Sequence, residues 1–180
     1  MQQDVACDER SCATAAVVAS PASDRRFGMC QYCGCRDIPL LRDYIAEHER
    51  VVNIGGSAVR ALDRGECDRA RELLAAMADE LRSHWRGEED GLFTVMARDE
   101  LFAEHITPLV REHRELEEFL DTVDVSDPGD QELIRKAVFD LYGHIAKEED
   151  GLFPASLTAL DGSEWDEAIA AWERAHPGGR

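Results

Sequence analysis

The sequence has few basic residues and no long apolar run. Lys and Arg total 20 against 38 Asp and Glu, so the formal net charge is −18 and the isoelectric point is about 4.6. A surface this acidic repels phosphate backbones, so nucleic acids are not expected partners. No segment approaches the roughly 20 consecutive apolar residues that a membrane-spanning helix needs, so no membrane partner is expected either.

The sequence also lacks the alternating apolar and polar pattern of strands, and it has no cysteine after Cys67. A secreted disulfide-stabilised domain would distribute its cysteines through the fold. The first residues carry Asp4, Asp8 and Glu9, where a secretion signal would carry positive charge. These absences favour an all-α protein of the reducing cytoplasm, preceded by a disordered tail over residues 1–28.

Apolar residues at helical spacing predict four long helices and a short fifth. The long helices are expected over about residues 38–63, 101–123 and 131–160, with the second helix running from about Cys67 past His84.

 Asp37 is expected to cap the first helix, Pro108 to kink or restart the third, and Ser163 to cap the fifth. Helices of this length with short connections favour an antiparallel, up-down four-helix bundle over residues 38–176.

A ten-residue pattern occurs twice in the chain. HWRGEEDGLF begins at His84, and HIAKEEDGLF begins sixty positions later at His144, with seven of the ten residues identical. Each copy is preceded by a helix that contains one Glu-His pair, at 47–48 and at 112–113. The chain therefore uses one pair of helices twice.

The repeated H-x-x-x-E spacing places a His and a Glu on one face of a helix, because four residues rotate about 40° past one turn and rise about 6 Å. Two such helices bring two imidazoles and two carboxylates to one depth of a bundle, and two further histidines can complete the set. Four neutral imidazoles and two anions are costly to bury without a cation. The pattern therefore predicts a pair of metal ions held by His48, His84, Glu88, His113, His144 and Glu148.

The number of donors favours iron over zinc. If both glutamates bridge and each metal takes two histidines, every metal has four protein donors, and a bridging water or hydroxide makes five. The remaining open position suits iron that binds or activates oxygen, whereas structural zinc prefers closed tetrahedral sites rich in thiolate. Two non-haem iron ions in a di-iron centre are therefore the expected cofactor.

The order H, H-x-x-x-E, H, H-x-x-x-E over about residues 38–160 resembles the hemerythrin-like (HHE) cation-binding family. The resemblance implies a four-helix bundle around a non-haem di-iron centre. It is most similar to bacterial stress-associated members and to members linked to repair of damaged iron centres. Oxygen-carrying hemerythrins have H-x-x-x-H on the third helix, whereas Leu109 stands four residues before His113 here. This departure argues against reversible oxygen carriage.

Several residues beside the motifs are further candidates for the centre. Glu117 on the third helix is a candidate extra ligand, and Glu149 resembles the carboxylate position of oxygen carriers and is an alternative to Glu148. Tyr44 is a candidate redox-active phenol or hydrogen-bond partner of a ligand, although core packing is the preferred interpretation. The other acidic residues of the repeats, Glu89, Asp90 and Asp150, are expected to form a solvated face. His105 is not expected to be a ligand, because it lies about two helical turns from His113, and His176 is expected to be solvated.

A cysteine-rich segment over residues 29–37 contains Cys30, Cys33 and Cys35 in a C-x-x-C-x-C arrangement. Three thiols this close suit either thiol redox chemistry or part of a zinc or iron–sulfur ligand set, and an incidental cluster is the third interpretation. The motif resembles the start of a subgroup of actinobacterial hemerythrin-like proteins. That resemblance implies that Met29 is the true initiator.

Together these residues predict a cytoplasmic protein that binds or reduces a small oxidant: dioxygen, hydrogen peroxide or nitric oxide. Iron would supply electrons, the thiols would return them, and a reductase or an iron protein is a candidate partner. The expected setting is oxidative or nitrosative stress. Two alternatives stay open, a non-catalytic sensor or store of iron or oxygen, and a di-iron oxygenase that acts on an organic substrate.

Overall fold

The computed structural model describes residues 34–178, and within them the fold is entirely helical. A 3₁₀ turn at Cys35–Asp37 precedes the α-helices α1 (Pro39–Asp63), α2 (Cys67–Gly87), α3 (Phe93–Met96), α4 (Glu100–Thr122), α5 (Pro128–Lys147), α6 (Phe153–Ala159) and α7 (Gly162–Ala175). Two π-helical turns, Glu88–Leu92 and Glu148–Leu152, join α2 to α3 and α5 to α6. The four long segments of the predicted four-helix bundle are α1, α2 with α3, α4, and α5 with α6. Helix α7 is the fifth helix. The predicted fold class is confirmed.

Some of the sequence predictions fall on residues that the structure does not describe. The tail over residues 1–28, the initiator Met29 and the thiols of Cys30 and Cys33 lie outside residues 34–178, so these predictions stay predictions. Within the described part of the chain, no helix is both long enough and apolar enough to cross a membrane.

The start of α1 differs from the prediction. Asp37 belongs to the preceding 3₁₀ turn, where its backbone N–H donates to the Gly34 carbonyl at 3.0 Å. Ile38 takes the N-cap position without a side-chain hydrogen bond, and Pro39 opens the helix. Asp37 does not cap α1, because it lies one residue before the N-cap position and its backbone belongs to the 3₁₀ turn.

The predicted cap of the fifth helix is also wrong, and the third helix does not restart at Pro108. Pro108 lies inside an unbroken α4 on its exposed side. The cap of α7 is Asp161, which forms a capping box with Glu164, and the predicted cap Ser163 lies inside the first turn and donates its hydroxyl to Asp161 at 2.7 Å. The sequence D-x-x-E at 161–164 carries the capping signal.

The core consists of two apolar clusters at the two ends of the bundle. Cluster one contains Leu41, Tyr44, Phe93 and Phe153, and α7 closes it with Ala168 and Trp172. Cluster two lies between α1, α2 and α5 and contains Val51, Met77, Leu81, Ile134 and Leu141. Between the clusters lies a layer of buried charged side chains. An ionisable layer enclosed by apolar packing needs a compensating charge, and this layer contains the candidate site.

Candidate metal centre

The structure brings the six predicted ligands together in this layer. α1 and α4 each contribute one histidine, α2 and α5 each contribute another, and each π-helical turn contributes its first glutamate. None of the six is more than 8% exposed: His48, His84, Glu88, His113, His144 and Glu148. The repeat therefore places its His at the end of an α-helix and its Glu at the start of a π-helical turn.

The imidazoles form two pairs. His48 Nε2 lies 2.9 Å from His84 Nε2, and His113 Nε2 lies 2.9 Å from His144 Nε2. Two nitrogen ligands at about 2.1 Å from one ion and at right angles to each other are about 3 Å apart. Each pair is therefore spaced as two ligands of one metal ion.

The two buried carboxylates each face both histidine pairs. Glu148 Oε2 lies 3.2 Å from His48 Nε2, and Glu148 Oε1 lies 2.9 Å from His144 Nε2. Glu88 Oε2 lies 3.4 Å from His84 Nε2 and 3.6 Å from His113 Nε2. Glu148 thus faces the two pairs with different oxygens, whereas Glu88 faces both with Oε2. The ligand atoms of His48, His84, Glu88 and Glu148, and those of His113, His144 and Glu148, lie within 4.8 Å of one another in each group.

The carboxylate oxygens show that a cation fits this layer. Both oxygens of Glu88 and both oxygens of Glu148 are buried and accept no hydrogen bond. The nitrogen of His144 is close to Glu148 but does not have hydrogen-bond geometry. A buried carboxylate without a partner costs several kcal/mol, and a divalent cation offsets this cost for both groups at once. The donor set of imidazoles and carboxylates suits iron and related transition metals.

Without a bound cation, protons must compensate these charges. Burial and the neighbouring charge of Glu148 raise the pKa of Glu88 well above its ordinary value. Burial also opposes ionisation of Glu148, but the adjacent imidazoles, His144 first, outweigh it and hold the pKa of Glu148 well below the ordinary value. Metal ions that enter the layer must therefore displace protons.

The two imidazoles of the first pair differ in charge for the same reason. Burial lowers the pKa of His84 to about 4. Burial disfavours the charged form of His48 too, but the adjacent carboxylates of Glu148 and Glu149 raise the pKa of His48 to about 9. At neutral pH without metal, His48 is therefore protonated and His84 is neutral, so a metal ion that binds this pair must displace a proton from His48.

A second layer of carboxylates surrounds the imidazoles. Each histidine Nδ1 faces one glutamate oxygen, at 2.7 to 2.9 Å, in the pairs His48–Glu149, His84–Glu47, His113–Glu89 and His144–Glu112. An Nδ1–H that donates to a carboxylate leaves the Nε2 lone pair for a metal and holds the ring in one orientation. All four imidazoles are thus oriented towards the two metal positions.

Sequence reasoning missed this second layer. Glu89 was expected on a solvated acidic face, but it accepts a hydrogen bond from His113. Glu149, an alternative ligand in the sequence analysis, accepts from Nδ1 of His48 on the side of the ring away from Nε2. The doubled Glu in both repeats, together with the two Glu-His pairs, was the signal that could have revealed these four carboxylates.

The remaining predicted residues have other contacts. The Tyr44 hydroxyl donates to the Gly87 carbonyl at 2.8 Å, and its ring packs edge-on against His84 with centroids 5.5 Å apart. Glu117 is 43% exposed and accepts from Arg82, so the structure places it outside the centre. His105 is exposed and is not among the residues of the cluster, in agreement with the expectation that it is not a ligand. His176, expected to be solvated, is instead 14% exposed and lies 3.2 Å from Glu47, so that prediction is wrong.

The 3₁₀ turn connects the cysteine-rich segment to the centre. Arg36, the residue after Cys35, forms an ion pair with Glu149. Glu149 in turn accepts from His48. The chain that follows the C-x-x-C-x-C motif therefore contacts a partner of one predicted ligand.

Comparison with known proteins agrees with this geometry. The family model for the Hemerythrin HHE cation binding domain matches residues 40–156, which include all six residues of the metal layer. No curated protein and no solved structure matches the chain significantly. Because the matched region covers more than half of the sequence and contains the buried His and Glu cluster, the chain belongs to the hemerythrin HHE cation-binding domain family, as a metal-binding helical protein.

Proposed function

We propose that the chain is a non-haem di-iron protein that binds or reduces a small oxidant, namely dioxygen, hydrogen peroxide or nitric oxide, in oxidative or nitrosative stress. One observation carries this proposal. Two pairs of Nε2 atoms, each 2.9 Å apart, flank two buried carboxylates whose oxygens accept no hydrogen bond. This arrangement supports two ions that share carboxylates, and the His-rich donor set favours iron over structural zinc.

Bound iron would supply the electrons for reduction of the oxidant. The chain supplies the surroundings. The rings of Phe153 and Phe93 stack on His48 and His113, with centroids 5.9 Å apart in both cases, and exclude water from the outer side of each imidazole. The second-layer carboxylates hold the Nδ1 protons and so keep the four rings oriented.

The cysteines remain the proposed source of returning electrons, with a reductase or an iron protein as a further partner in the cytoplasm. The contact between Arg36 and Glu149 supports this part of the proposal, because it brings the residue after Cys35 to the His48 side of the centre. A zinc or iron–sulfur role for Cys30, Cys33 and Cys35 stays an alternative.

Loss of one ligand should separate an enzyme from a store or sensor. In His113→Ala, we expect peroxide turnover by the iron-loaded chain to fall at least about tenfold, because one metal position loses one of its two imidazoles. The matched control is His105→Ala, on the same helix but exposed. Oxidation of the wild-type iron with no catalytic turnover of peroxide would contradict the enzyme and favour the non-catalytic alternative.

A groove beside the centre favours a second candidate function, a di-iron oxygenase. Between α4 and α5 lies a cavity of about 1060 Å³, which is ample for an organic molecule. Its walls include both imidazoles of the second pair, and aromatic side chains supply much of the rest: His113, His144, Trp85, Phe119, Phe139 and Tyr142. An apolar substrate in this cavity would therefore lie next to the imidazoles of His113 and His144.

Filling the groove tests this second candidate. Gly143 lines the groove, and a Cβ there would meet nothing within 4 Å, so Gly143→Phe should occupy the groove without a backbone clash. We expect the apolar dye Nile red to bind the wild type, to change the visible spectrum of the cobalt-loaded chain, and to bind Gly143→Phe about tenfold more weakly. Gly162→Phe is the control, because Gly162 is equally open and lies at the start of α7. Dye binding that leaves the cobalt spectrum unchanged would contradict access from the groove to the metals.

A further inference from the structure

Helix α7 contacts the second layer of carboxylates although it lies outside the matched family domain, which ends at residue 156. The indole Nε1–H of Trp172 donates to Glu47 Oε1 at 3.0 Å, and both side chains are buried. The other oxygen, Oε2, accepts from His84 Nδ1 at 2.7 Å. Because an indole N–H can only donate, Glu47 must accept from both neighbours. Two hydrogen bonds thus connect α7 to a predicted ligand.

The end of α7 adds a second contact to the same carboxylate. His176 stacks on Trp172 with ring centroids 4.4 Å apart, and its Nδ1 donates to the Trp172 carbonyl at 2.8 Å. Its Nε2 lies 3.2 Å from Glu47 Oε1. At the end of α7, Trp172 therefore donates to one oxygen of Glu47, and His176 packs on Trp172 beside the same oxygen.

This arrangement distinguishes Glu47 from two other second-layer carboxylates. Glu149 pairs with Arg36, and Glu112 pairs with Lys147 at 2.5 Å, so both use charged groups near the surface. The Glu149 and Glu112 side chains are 12% and 29% exposed, whereas that of Glu47 is 2% exposed. Arg50 also lies 4.0 Å from Glu47 Oε1, but the hydrogen bond that this oxygen accepts comes from the buried indole N–H of Trp172 at 3.0 Å, a neutral donor held in place by core packing.

The first repeat carries the sequence features that make space for α7. A Cβ at Gly87 would lie 3.1 Å from Trp172 Cδ1, and a Cβ at Gly91 would lie 3.0 Å from the Ala168 carbonyl oxygen. In the second repeat the position of Gly87 is taken by Lys147, and a Cβ at Gly151 would meet nothing within 4 Å. The first repeat therefore has glycine where α7 packs closely against it, and the second repeat, with Lys147 at the matching position, does not.

We propose that α7 is a positioning element of the metal centre, in which Trp172 acts through Glu47 to fix the orientation of His84. Trp172 thereby sets the affinity of the metal position that His48 and His84 hold, and leaves the position of His113 and His144 unaffected. This inference rests on the two-metal part of the proposed function, because it concerns one metal position only.

The test is a titration of the full chain with Co²⁺, followed by its visible spectrum. Trp172→Phe keeps an aromatic ring in the core, of smaller volume, and removes the indole N–H. We expect one of the two binding steps to weaken about tenfold or more, with a changed cobalt spectrum, and the other step to stay within twofold. Trp165→Phe is the matched control, since Trp165 lies on the same helix, is partly buried against the same apolar cluster, and lines a pocket with Ile38 and Pro39 away from Glu47.

Two results of this titration have different meanings. If the wild type does not bind two Co²⁺ ions, the two-metal part of the proposed function fails. If the wild type binds two ions and Trp172→Phe binds both with unchanged affinity and an unchanged spectrum, the positioning role of α7 is overturned while the proposed function stands.

A second measurement covers the case in which Trp172→Phe does not fold, as judged by circular dichroism. In the ¹⁵N-labelled wild type, the three indole N–H signals can be assigned with Trp165→Phe and Trp85→Phe. We expect the Trp172 signal to move on Zn²⁺ addition and the Trp165 signal to stay in place. A Trp172 signal that does not respond to Zn²⁺ would overturn the proposal.

Discussion

Replacing Glu148 by glutamine is expected to weaken metal binding at both positions of the centre. Glu148 faces His48 with one oxygen and His144 with the other, so both ions lose a negative donor. Loss of one partner from a buried charged pair costs about 3–5 kcal/mol, which corresponds to a weakening of roughly a hundredfold or more. The measurement is a metal count by mass spectrometry after dialysis against a buffer of fixed free Fe²⁺.

The matched control for this prediction is Asp150→Asn. Asp150 lies two residues further along the same π-helical turn and is exposed, so the same loss of charge should leave the metal count unchanged. A Glu148→Gln protein that retains two ions per chain with wild-type affinity would show that Glu148 does not bridge the two positions.

Metal loading is expected to raise the thermal unfolding midpoint by about 10–20 °C. Ligand present at a hundred times its dissociation constant stabilises the folded state by about 2.7 kcal/mol per site, and two sites therefore contribute about 5 kcal/mol. For a chain of this length each kcal/mol shifts the midpoint by roughly 2–4 °C. Differential scanning calorimetry of the chain with and without Fe²⁺ under anaerobic conditions gives the shift.

Glu88→Gln supplies the control for this second prediction. The pKa of Glu88 is raised well above its ordinary value by burial and by Glu148, so a neutral amide resembles the form that Glu88 adopts without metal. We expect the metal-free midpoint of Glu88→Gln to equal or exceed that of the wild type, and most of the gain on loading to be lost. A metal-free variant that unfolds well below the wild type would contradict the argument that Glu88 is held for metal binding and not for stability.

Much of the fold followed from local patterns. Helix α1 ends at Asp63 as its apolar spacing predicts, and Gly65, with a φ of +73°, adopts the left-handed conformation that commonly follows a helix. Helix ends depend on a few hydrogen bonds that compete with neighbouring turns, which is why the caps at Asp37 and Ser163 were predicted wrongly.

The candidate centre followed partly from the same patterns. The repeated H-x-x-x-E spacing selected four of the six residues that the structure brings together, because helical geometry relates residues four apart without reference to the rest of the fold. The other two, His48 and His113, came from the Glu-His pairs on the preceding helices. The hydrogen bonds of Glu89 and Glu149 could not be predicted from helical spacing, since each glutamate contacts a histidine on a different helix, at sequence separations of 24 and 101 residues.

The amino-acid order alone was enough to specify a helical bundle, a duplicated helix pair and a buried set of histidines and carboxylates, since all of these depend on periodicity along single helices. Three-dimensional packing was needed to reveal which carboxylate orients which imidazole, that α7 covers the first repeat through Trp172 and His176, and that a groove opens beside the second pair. These features depend on contacts between side chains from distant parts of the chain, and the crossing angles and distances of the packed helices determine those contacts.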